Sequence, residues 1–458
     1  MKKLIFLALL TVIIAGCQKT SKLNSNQKDS TKNMLTVHNF PERIKHSVIY
    51  EVNIRQYTPE GTFAAFEKHL PRLQQLGVDI LWFMPIQPIG KKNRKGELGS
   101  YYSIADYTAV NPEFGTLDDF KRIVKKAHEM GMLVILDWVA NHTAFDHVWI
   151  TQHPDFYTKN EKGEIISPVP DWTDVADLNY DNQQMRQAMI DAMAFWVKEC
   201  DIDGFRCDVA MMVPTDFWEA ARVQLEKIKP LFMLAEAEEP ELMNKAFDMF
   251  YSWEFYHHMV DIAKNKRKAK DLIAVLHLEQ KKFPTRAIPM RFTSNHDENS
   301  WNGTDKELYS DKHKLFAVLT FMVNGMPLIY SGQEAENDKR LRFFYKDTID
   351  WKSTPTEELY KKLIQFRKEN SALWTTGFGA PMNILPSRPE YFAFYRKNDT
   401  NTVVCFFNFS DKKQIAYIDE PAIVGEYNVF GTDEKYYLRP KKDIVLEPWA
   451  YFILYRKK

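Results

Sequence analysis

Carboxylates stand at the ends of several apolar, β-type segments of this sequence. Asp208 follows Gly204–Cys207, Glu236 follows Phe232–Ala235, and Asp297 lies shortly after another such segment. A charged group beside an apolar run is costly to bury unless it has a partner or a task. Hydrolysis of a glycosidic bond needs this set, because one group must protonate the leaving oxygen and another must face the oxocarbenium-like centre. Their mutual repulsion predicts that one pKa is raised, so that a proton is retained near neutral pH.

A metal site is the alternative interpretation of the same carboxylates. No His-rich or Cys-rich spacing accompanies them, and the nearby histidines, His142 and His296, follow different predicted strands. Metal centres built on histidine or cysteine usually show such spacing. The carboxylates therefore favour acid and nucleophile chemistry over metal chemistry.

The segments that carry these residues alternate with longer amphipathic stretches that repeat apolar residues at three- and four-residue spacing. The predicted strands are Val48–Asn53, Ile80–Met84, Met132–Trp138, Gly204–Val209, Phe232–Ala235, Phe247–Tyr251, Met290–Thr293 and Leu328–Tyr330. Eight such units predict an α/β fold, a (β/α)8 TIM barrel whose strand ends form the active site. A doubly wound sheet is the alternative, but no Gly-rich phosphate loop follows the first strand.

Two regions interrupt the repeat. Residues 141–181 form a long, aromatic stretch after the third strand, which predicts a small excursion domain over the barrel mouth. Beyond Trp374 the pattern changes to short alternating runs, which predict a C-terminal antiparallel β-sandwich. The expected domains are therefore a catalytic barrel over 41–373 and a sandwich over 374–458.

The N-terminus predicts export and anchoring. Residues 1–17 combine two lysines, a short apolar run and Ala15-Gly16-Cys17, which looks like a bacterial lipobox with Cys17 as the acylated residue. A plain secretion signal with an incidental Cys17 is the alternative. Residues 18–40 are polar and predict a flexible tether. The balance of 61 Lys and Arg against 61 Asp and Glu argues against a nucleic-acid binder.

The ordered set of motifs resembles a known family. Four segments are similar, in order, to the signature regions of the α-amylase family, glycoside hydrolase family 13: Asp137–His142, Gly204–Asp208, Glu236 and Asn295–Asp297. Further matches are Tyr102 with Asp106 and Tyr107, and the segment 325–334 around the eighth strand. The resemblance covers nearly the whole chain from about His46.

The resemblance implies roles for individual residues. It makes Asp208 the nucleophile, Glu236 the general acid/base and Asp297 the transition-state stabiliser. It also implies substrate-binding roles for a second set of residues, Tyr102, His142, Arg206 and His296. No cofactor is expected for the chemistry.

Structural calcium is the one metal that the resemblance implies, at Asn141 and Asp177. Oxygen ligands suit this ion, but two residues are too few for a site. The chain also has Met211-Met212 where many α-amylases have Lys-His, which leaves both calcium and the cleavage preference open.

The expected function is retaining, endo-acting hydrolysis of α-1,4-glucosidic bonds in starch, maltodextrin or glycogen. The alternatives are a maltogenic or maltodextrin-cleaving, an α-1,6-cleaving or a transglycosylating member of the family. A non-catalytic glucan-binding lipoprotein is the alternative from another class. The anchor predicts a location in the bacterial cell envelope, with membrane contact through the lipid and glucan-uptake proteins as partners.

Overall fold

The computed structural model describes residues 44–458. The predicted signal peptide 1–17, its Cys17 and the tether 18–40 lie outside the described residues. The strands of the described part are β1 (Ile49–Val52), β2 (Ile80–Phe83), β3 (Leu133–Trp138), β4 (His142–Ala144), β5 (Val175–Asp177), β6 (Gly204–Cys207), β7 (Phe232–Ala235), β8 (Met249–Tyr251), β9 (Ile288–Arg291), β10 (Met326–Tyr330), β11 (Met382–Ile384), β12 (Tyr391–Lys397), β13 (Asn401–Asn408), β14 (Gln414–Ile418), β15 (Gly425–Val429), β16 (Lys435–Leu438), β17 (Lys442–Leu446) and β18 (Tyr451–Lys457).

The α-helices of the same range are α1 (Ile54–Tyr57), α2 (Phe63–Glu67), α3 (Leu70–Leu76), α4 (Leu117–Glu129), α5 (Val148–Gln152), α6 (Gln183–Cys200), α7 (Thr215–Leu225), α8 (Trp253–Ala263), α9 (Ala269–Lys282), α10 (Asp305–Tyr309), α11 (His313–Met322) and α12 (Pro355–Glu369). Within residues 44–458, none of these helices combines the length and the apolar character that a membrane crossing needs.

Eight parallel strands close into a barrel in the order β1, β2, β3, β6, β7, β8, β9 and β10. Every one of them overlaps a strand predicted from the sequence, so the predicted TIM barrel is confirmed. These strands are buried along their whole length, which is why they appear in the sequence as short apolar runs. The barrel interior is filled by large side chains such as Trp82, Leu234 and Tyr251 rather than being an open channel.

The segment 141–181 leaves the barrel after β3. Its ends pair as a two-stranded antiparallel ladder, in which His142 of β4 lies opposite Asp177 of β5. The ladder holds the residues between its strands beside the C-terminal ends of the barrel strands, where the candidate site lies.

The C-terminal strands form a six-stranded antiparallel sheet, in the order β11, β12, β13, β18, β15, β16, and a separate β14–β17 pair. Apolar side chains of both sheets share one buried cluster, including Phe406, Ile418 and Ile444. The predicted antiparallel C-terminal domain is therefore confirmed.

Candidate active site

The pairing of the barrel strands brings Asp208 and Glu236 to the same level. Cys207 lies opposite Trp138 in β3 on one side and Ala235 in β7 on the other. The ladder continues one residue further, because the Asp208 N–H donates to the Trp138 carbonyl (2.9 Å) and the Glu236 N–H donates to the Cys207 carbonyl (3.0 Å). Both carboxylates therefore leave rigid strand ends rather than loops.

Gly204 permits the close approach of β6 and β7 on which this alignment depends. Its φ is +154°, and a Cβ at this position would lie 1.8 Å from the Phe232 carbonyl oxygen. No side chain fits at that distance, so only glycine keeps the two strands in this register.

Arg206 is the centre of the charged network beneath the site. Its Nη1 lies 2.9 Å from Asp137 Oδ1 and 3.0 Å from Asp208 Oδ1, and its Nη2 forms an ion pair with Glu236 Oε2 at 2.9 Å. The Arg206 side chain has no solvent exposure, and its Nε donates to the Tyr251 hydroxyl at 3.2 Å. One buried guanidinium therefore holds three carboxylates in fixed positions.

Burial and the repulsion between neighbouring carboxylates both raise the pKa values of Asp208 and Glu236. Burial raises the pKa of Asp208, the Glu236 charge raises it further, and Arg206 lowers it. Burial also raises the pKa of Glu236, against the effect of Arg206. The pair therefore retains one proton to higher pH than either group would alone, as an acid and a nucleophile side by side require.

The turn after the nucleophile candidate is strained. Val209 adopts a left-handed conformation (φ 34°, ψ 48°), which is unfavourable for a β-branched residue. In this conformation the Val209 N–H donates to Glu236 Oε2 at 2.8 Å. Strain of this kind persists where the surroundings enforce it, and here it orients the acid/base candidate.

A second chain of polar groups runs from the barrel interior to Asp297. His296 lies between Glu51 Oε1, 2.6 Å from its Nδ1, and Asp297 Oδ2, 3.2 Å from its Nε2. Tyr102 Oη is 2.7 Å from the same Nε2 and donates to Asp137 Oδ2. This chain links the third carboxylate to the network around Arg206.

The charges along this series of polar groups determine the pKa values of His296 and Asp297. Burial alone would lower the pKa of His296, but Asp297 and Glu51 raise it well above the usual range. Burial would raise the pKa of Asp297, but the imidazolium and its hydrogen bond lower it. His296 is therefore a cation that keeps Asp297 ionised.

Glu51 was not among the residues predicted from the sequence. It has no exposure and lies in β1, inside the predicted strand Val48–Asn53. The feature of the sequence that could have identified Glu51 is a lone carboxylate within an apolar strand, since such a buried group needs a partner. Its partner, His296, is 245 residues away, and only the closed barrel brings the two together.

The carboxylates open into a cavity of about 730 Å³ at the C-terminal ends of the barrel strands. That volume lies within the range of about 300–1,000 Å³ that is usual for ligand sites. The predicted residues that line the cavity are Tyr102, His142, Asp208, Glu236 and Asp297. Further lining residues come from four segments, which follow β2, β4, β9 and β10: Lys95, Asp171, Trp172, Asp174, Trp301, Phe343 and Phe344.

Two of the predicted substrate-binding residues lie beneath the cavity instead. Arg206 and His296 are buried and absent from its lining, so they act on a substrate through the carboxylates that they hold. The two histidines also differ in charge, because burial lowers the pKa of His142 to about 4 and leaves it neutral. His142 is thus suited to neutral hydrogen bonding with a hydroxyl, whereas His296 supplies charge.

The two residues predicted for calcium lie close together, and their binding of this ion stays a prediction. Asn141 and Asp177 lie on neighbouring ends of the β4–β5 ladder, but the Asn141 amide contacts His142 Nδ1 at 3.2 Å. Calcium takes six to eight oxygen ligands. Among residues 44–458, no group of three or more His, Cys, Asp or Glu side chains is arranged to hold a metal. We therefore derive no step through calcium.

The chain was compared with known proteins. The family model described as the α-amylase catalytic domain matches residues 24–166 and 169–371. A solved α-amylase from Lactobacillus plantarum is 30% identical, with a TM-score of 0.81 over 90% of this chain and 99% of that one. A solved maltogenic α-amylase from Thermotoga neapolitana is 31% identical, with a TM-score of 0.83 over 91% of this chain and 100% of that one. Alpha-amylase 2 from Dictyoglomus thermophilum is 24% identical over 83% of this chain and 73% of its own length.

The buried Glu51–His296 pair gives a prediction about pH. Glu51→Gln keeps the shape but removes one of the two carboxylates that raise the pKa of His296. His296 then loses its proton at lower pH, because an opposite charge beside it is gone, and Asp297 loses its cationic partner. We expect the alkaline limb of kcat/KM on soluble starch to move to lower pH.

The other groups around His296 stay unchanged in this variant. They are Asp297, Tyr102, Trp82 and Phe343, with Arg206 and Asp137 further along the network. The matched control is Glu161→Gln, an exposed residue of the segment between β4 and β5, which should leave the profile unaltered. A Glu51→Gln profile that superimposes on the wild type would show that Glu51 does not set the charge of His296.

Proposed function

The chain belongs to the α-amylase family of glycoside hydrolases, and from this premise we propose that it hydrolyses α-1,4-glucosidic bonds of starch, glycogen or maltodextrin with retention of configuration. The observation that carries the proposal is the pair Asp208 and Glu236, held by one buried Arg206 at the floor of the cavity. Retention requires a nucleophile and an acid that act in turn on the same anomeric carbon.

In the proposed first step, an Asp208 oxygen attacks the anomeric carbon and Glu236 gives its proton to the leaving oxygen. The bond from carbon to the leaving oxygen breaks as the ester to Asp208 forms. In the second step, Glu236 takes a proton from water, the water oxygen attacks the same carbon, and the ester breaks. Both groups return to their starting states.

The surrounding residues have supporting roles in this scheme. Burial and the Glu236 charge raise the pKa of Asp208 well above its usual range, and the Arg206 charge opposes them in favour of the ionised form that a nucleophile needs. Asp297 accepts hydrogen bonds from hydroxyls of the sugar being cleaved, with its charge maintained by His296. Tyr102 lies at the cavity wall, stacked on His296 at 5.4 Å between ring centroids, and offers a face for the sugar ring.

The size of the product separates two candidates within this function. Internal cleavage, the expectation from the sequence, stays a prediction. Release of short malto-oligosaccharides is favoured by one observation, because two of the loops that line the cavity are joined by the Lys95–Asp174 ion pair at 3.0 Å. The similarity to the maltogenic enzyme of Thermotoga neapolitana supports this second candidate.

The two candidates differ on soluble starch. Internal cleavage lowers viscosity faster than reducing ends accumulate, whereas release of short products raises reducing ends while viscosity stays high. The shape of the cavity leads us to expect the second pattern, with maltose as the main product from the first time point. A sharp early fall in viscosity would contradict it.

The mechanism is tested by exchanging the two central carboxylates one at a time. Glu236→Gln should lower starch hydrolysis by about 10²–10⁴-fold, the usual contribution of a general acid. An α-maltosyl fluoride needs little protonation to react, so its glycosylation step should be affected far less. Asp208→Asn removes the attacking charge and should show no such relief. Asp399→Asn and Glu161→Gln, both exposed, are the matched controls.

Azide distinguishes the two roles. Because it needs no base, azide should speed turnover of Glu236→Gln and give a product of retained α configuration. Rescue of Asp208→Asn with an inverted product, and no effect on Glu236→Gln, would reverse the two assignments. Starch that is bound but never cleaved by the wild type would instead indicate a glucan-binding protein.

We further propose that the protein is lipid-anchored through Cys17 in a bacterial cell envelope, where hydrolysis would take place beside glucan-uptake proteins. The support is the sequence of residues 1–17 alone. Cys17→Ala should release the protein from the membrane fraction, since a lipid chain contributes about 0.8 kcal/mol per buried CH₂. Ser21→Ala is the control, and unchanged fractionation of Cys17→Ala would remove the anchor.

A further inference from the structure

A loop formed by residues 90–99 joins two parts of the cavity wall. The Lys95 ammonium lies 3.0 Å from Asp174 Oδ1 and donates to the Asp171 carbonyl at 2.9 Å, both in the segment between β4 and β5. On the other side, the Leu98 N–H donates to the Phe344 carbonyl at 2.9 Å, in the segment after β10. The loop therefore bridges the two segments. This loop, with its contacts to Asp174 and Phe344, is the Lys95 bridge.

The 90–99 loop is fixed at both of its ends. Asp146 Oδ2 accepts hydrogen bonds from the N–H groups of Lys91 and Lys92 at 2.7 and 3.2 Å. At the other end, the buried Arg55 donates to the carbonyls of Leu98 and Gly99, at 3.1 Å each. Arg55 also donates to the Phe343 carbonyl at 3.4 Å, so one guanidinium anchors the loop and the segment beyond β10 together.

The packing within the bridge leaves no spare room. Gly96 has a φ of +62°, and a Cβ there would lie 2.4 Å from Phe344 Cβ. Phe344 in turn contacts Trp301, with 5.8 Å between ring centroids, beyond β9. The wall is thus a continuous set of contacts from Asp174 through Lys95 and Phe344 to Trp301.

The roles proposed for Asp208 and Glu236 define the two ends of the cavity. The acid must face the leaving group, so the reducing-end part of the glucan lies beyond Glu236 and Val209. There the exposed Met211 and Met212 follow, 48% and 39% accessible. The other part of the glucan lies over Tyr102 and Asp297, toward the bridge, whose Lys95, Asp174 and Phe344 line the cavity.

We infer that the Lys95 bridge closes the non-reducing end of the cavity and fixes how many glucosyl units fit before the cleaved bond. The non-reducing terminus of the glucan stops at Lys95, whose ammonium and whose partner Asp174 can hydrogen-bond terminal hydroxyls. Lys95 is thereby a specificity-determining residue that makes the products short and uniform. The inference rests on the proposed hydrolysis of α-1,4-glucans.

The test uses Lys95→Ala in the full-length protein. Its substrate is maltoheptaose labelled at the reducing end, so that each labelled product identifies the bond that was cut. The wild type should cut mainly at one bond, near the non-reducing end. Removing the ammonium releases the 90–99 loop from Asp174 and opens the wall. The fraction of cuts further from the non-reducing end should then rise at least about fivefold.

Two further variants make this result specific. Asp174→Asn keeps the shape of the buried partner but weakens the bridge, and it should shift the cut positions in the same direction. Lys91→Ala removes the same charge from an exposed position of the same loop and should leave the pattern of the wild type. All three positions lie outside the catalytic carboxylates.

Each outcome bears on a different claim. Identical cut positions in the wild type and Lys95→Ala would overturn the role of the bridge while leaving hydrolysis intact. The same shift in Lys91→Ala as in Lys95→Ala would also overturn it, because loss of charge rather than loss of the bridge would then be the cause. No cleavage of any α-1,4-glucan by the wild type would reject the proposed function, and the inference with it.

Discussion

The buried guanidinium of Arg206 is the interaction on which the rest of the site depends. It has no exposure and contacts Asp137, Asp208 and Glu236 at 2.9–3.0 Å. Removing one partner of such a buried network leaves uncompensated charge at a cost of about 3–5 kcal/mol. The carboxylates therefore cannot relax away from one another, although they repel. The barrel strands position the carboxylates, and the positive charge of Arg206 offsets the repulsion between them.

The sequence was sufficient to predict the parts that short segments determine by themselves. Barrel strands are buried on both faces, so they appear as apolar runs, and the carboxylates follow directly at their ends. The amphipathic spacing over 62–76 predicts one helix, but the structure has two, α2 and α3, because Pro71 lacks an N–H and fits only the first turn of α3. Strands such as β15 and β17 are harder to predict, because only two of the five side chains in each are buried.

What the sequence could not predict is contact between distant segments. Glu51 and His296 are partners only because β1 and β9 both border β10 in the closed barrel. The Lys95 bridge likewise joins the loop after β2 to Asp174 and to Phe344, and no local sequence pattern predicts either contact. Family resemblance identified the carboxylates, but Arg206 and His296 prove to lie beneath the cavity rather than at its surface.

The charges of the two networks together explain why this cavity suits a cationic transition state. Arg206 and His296 are its cations, and the carboxyl groups that face them are those of Glu51, Asp137, Asp208, Glu236 and Asp297. Burial raises the pKa of Glu51, Asp137, Asp208 and Glu236, whereas the His296 charge outweighs burial and lowers the pKa of Asp297. His142 adds no positive charge, since burial lowers its pKa to about 4. The negative charge of Asp297 is fixed before substrate arrives, so it stabilises an oxocarbenium-like centre without reorganisation of the protein.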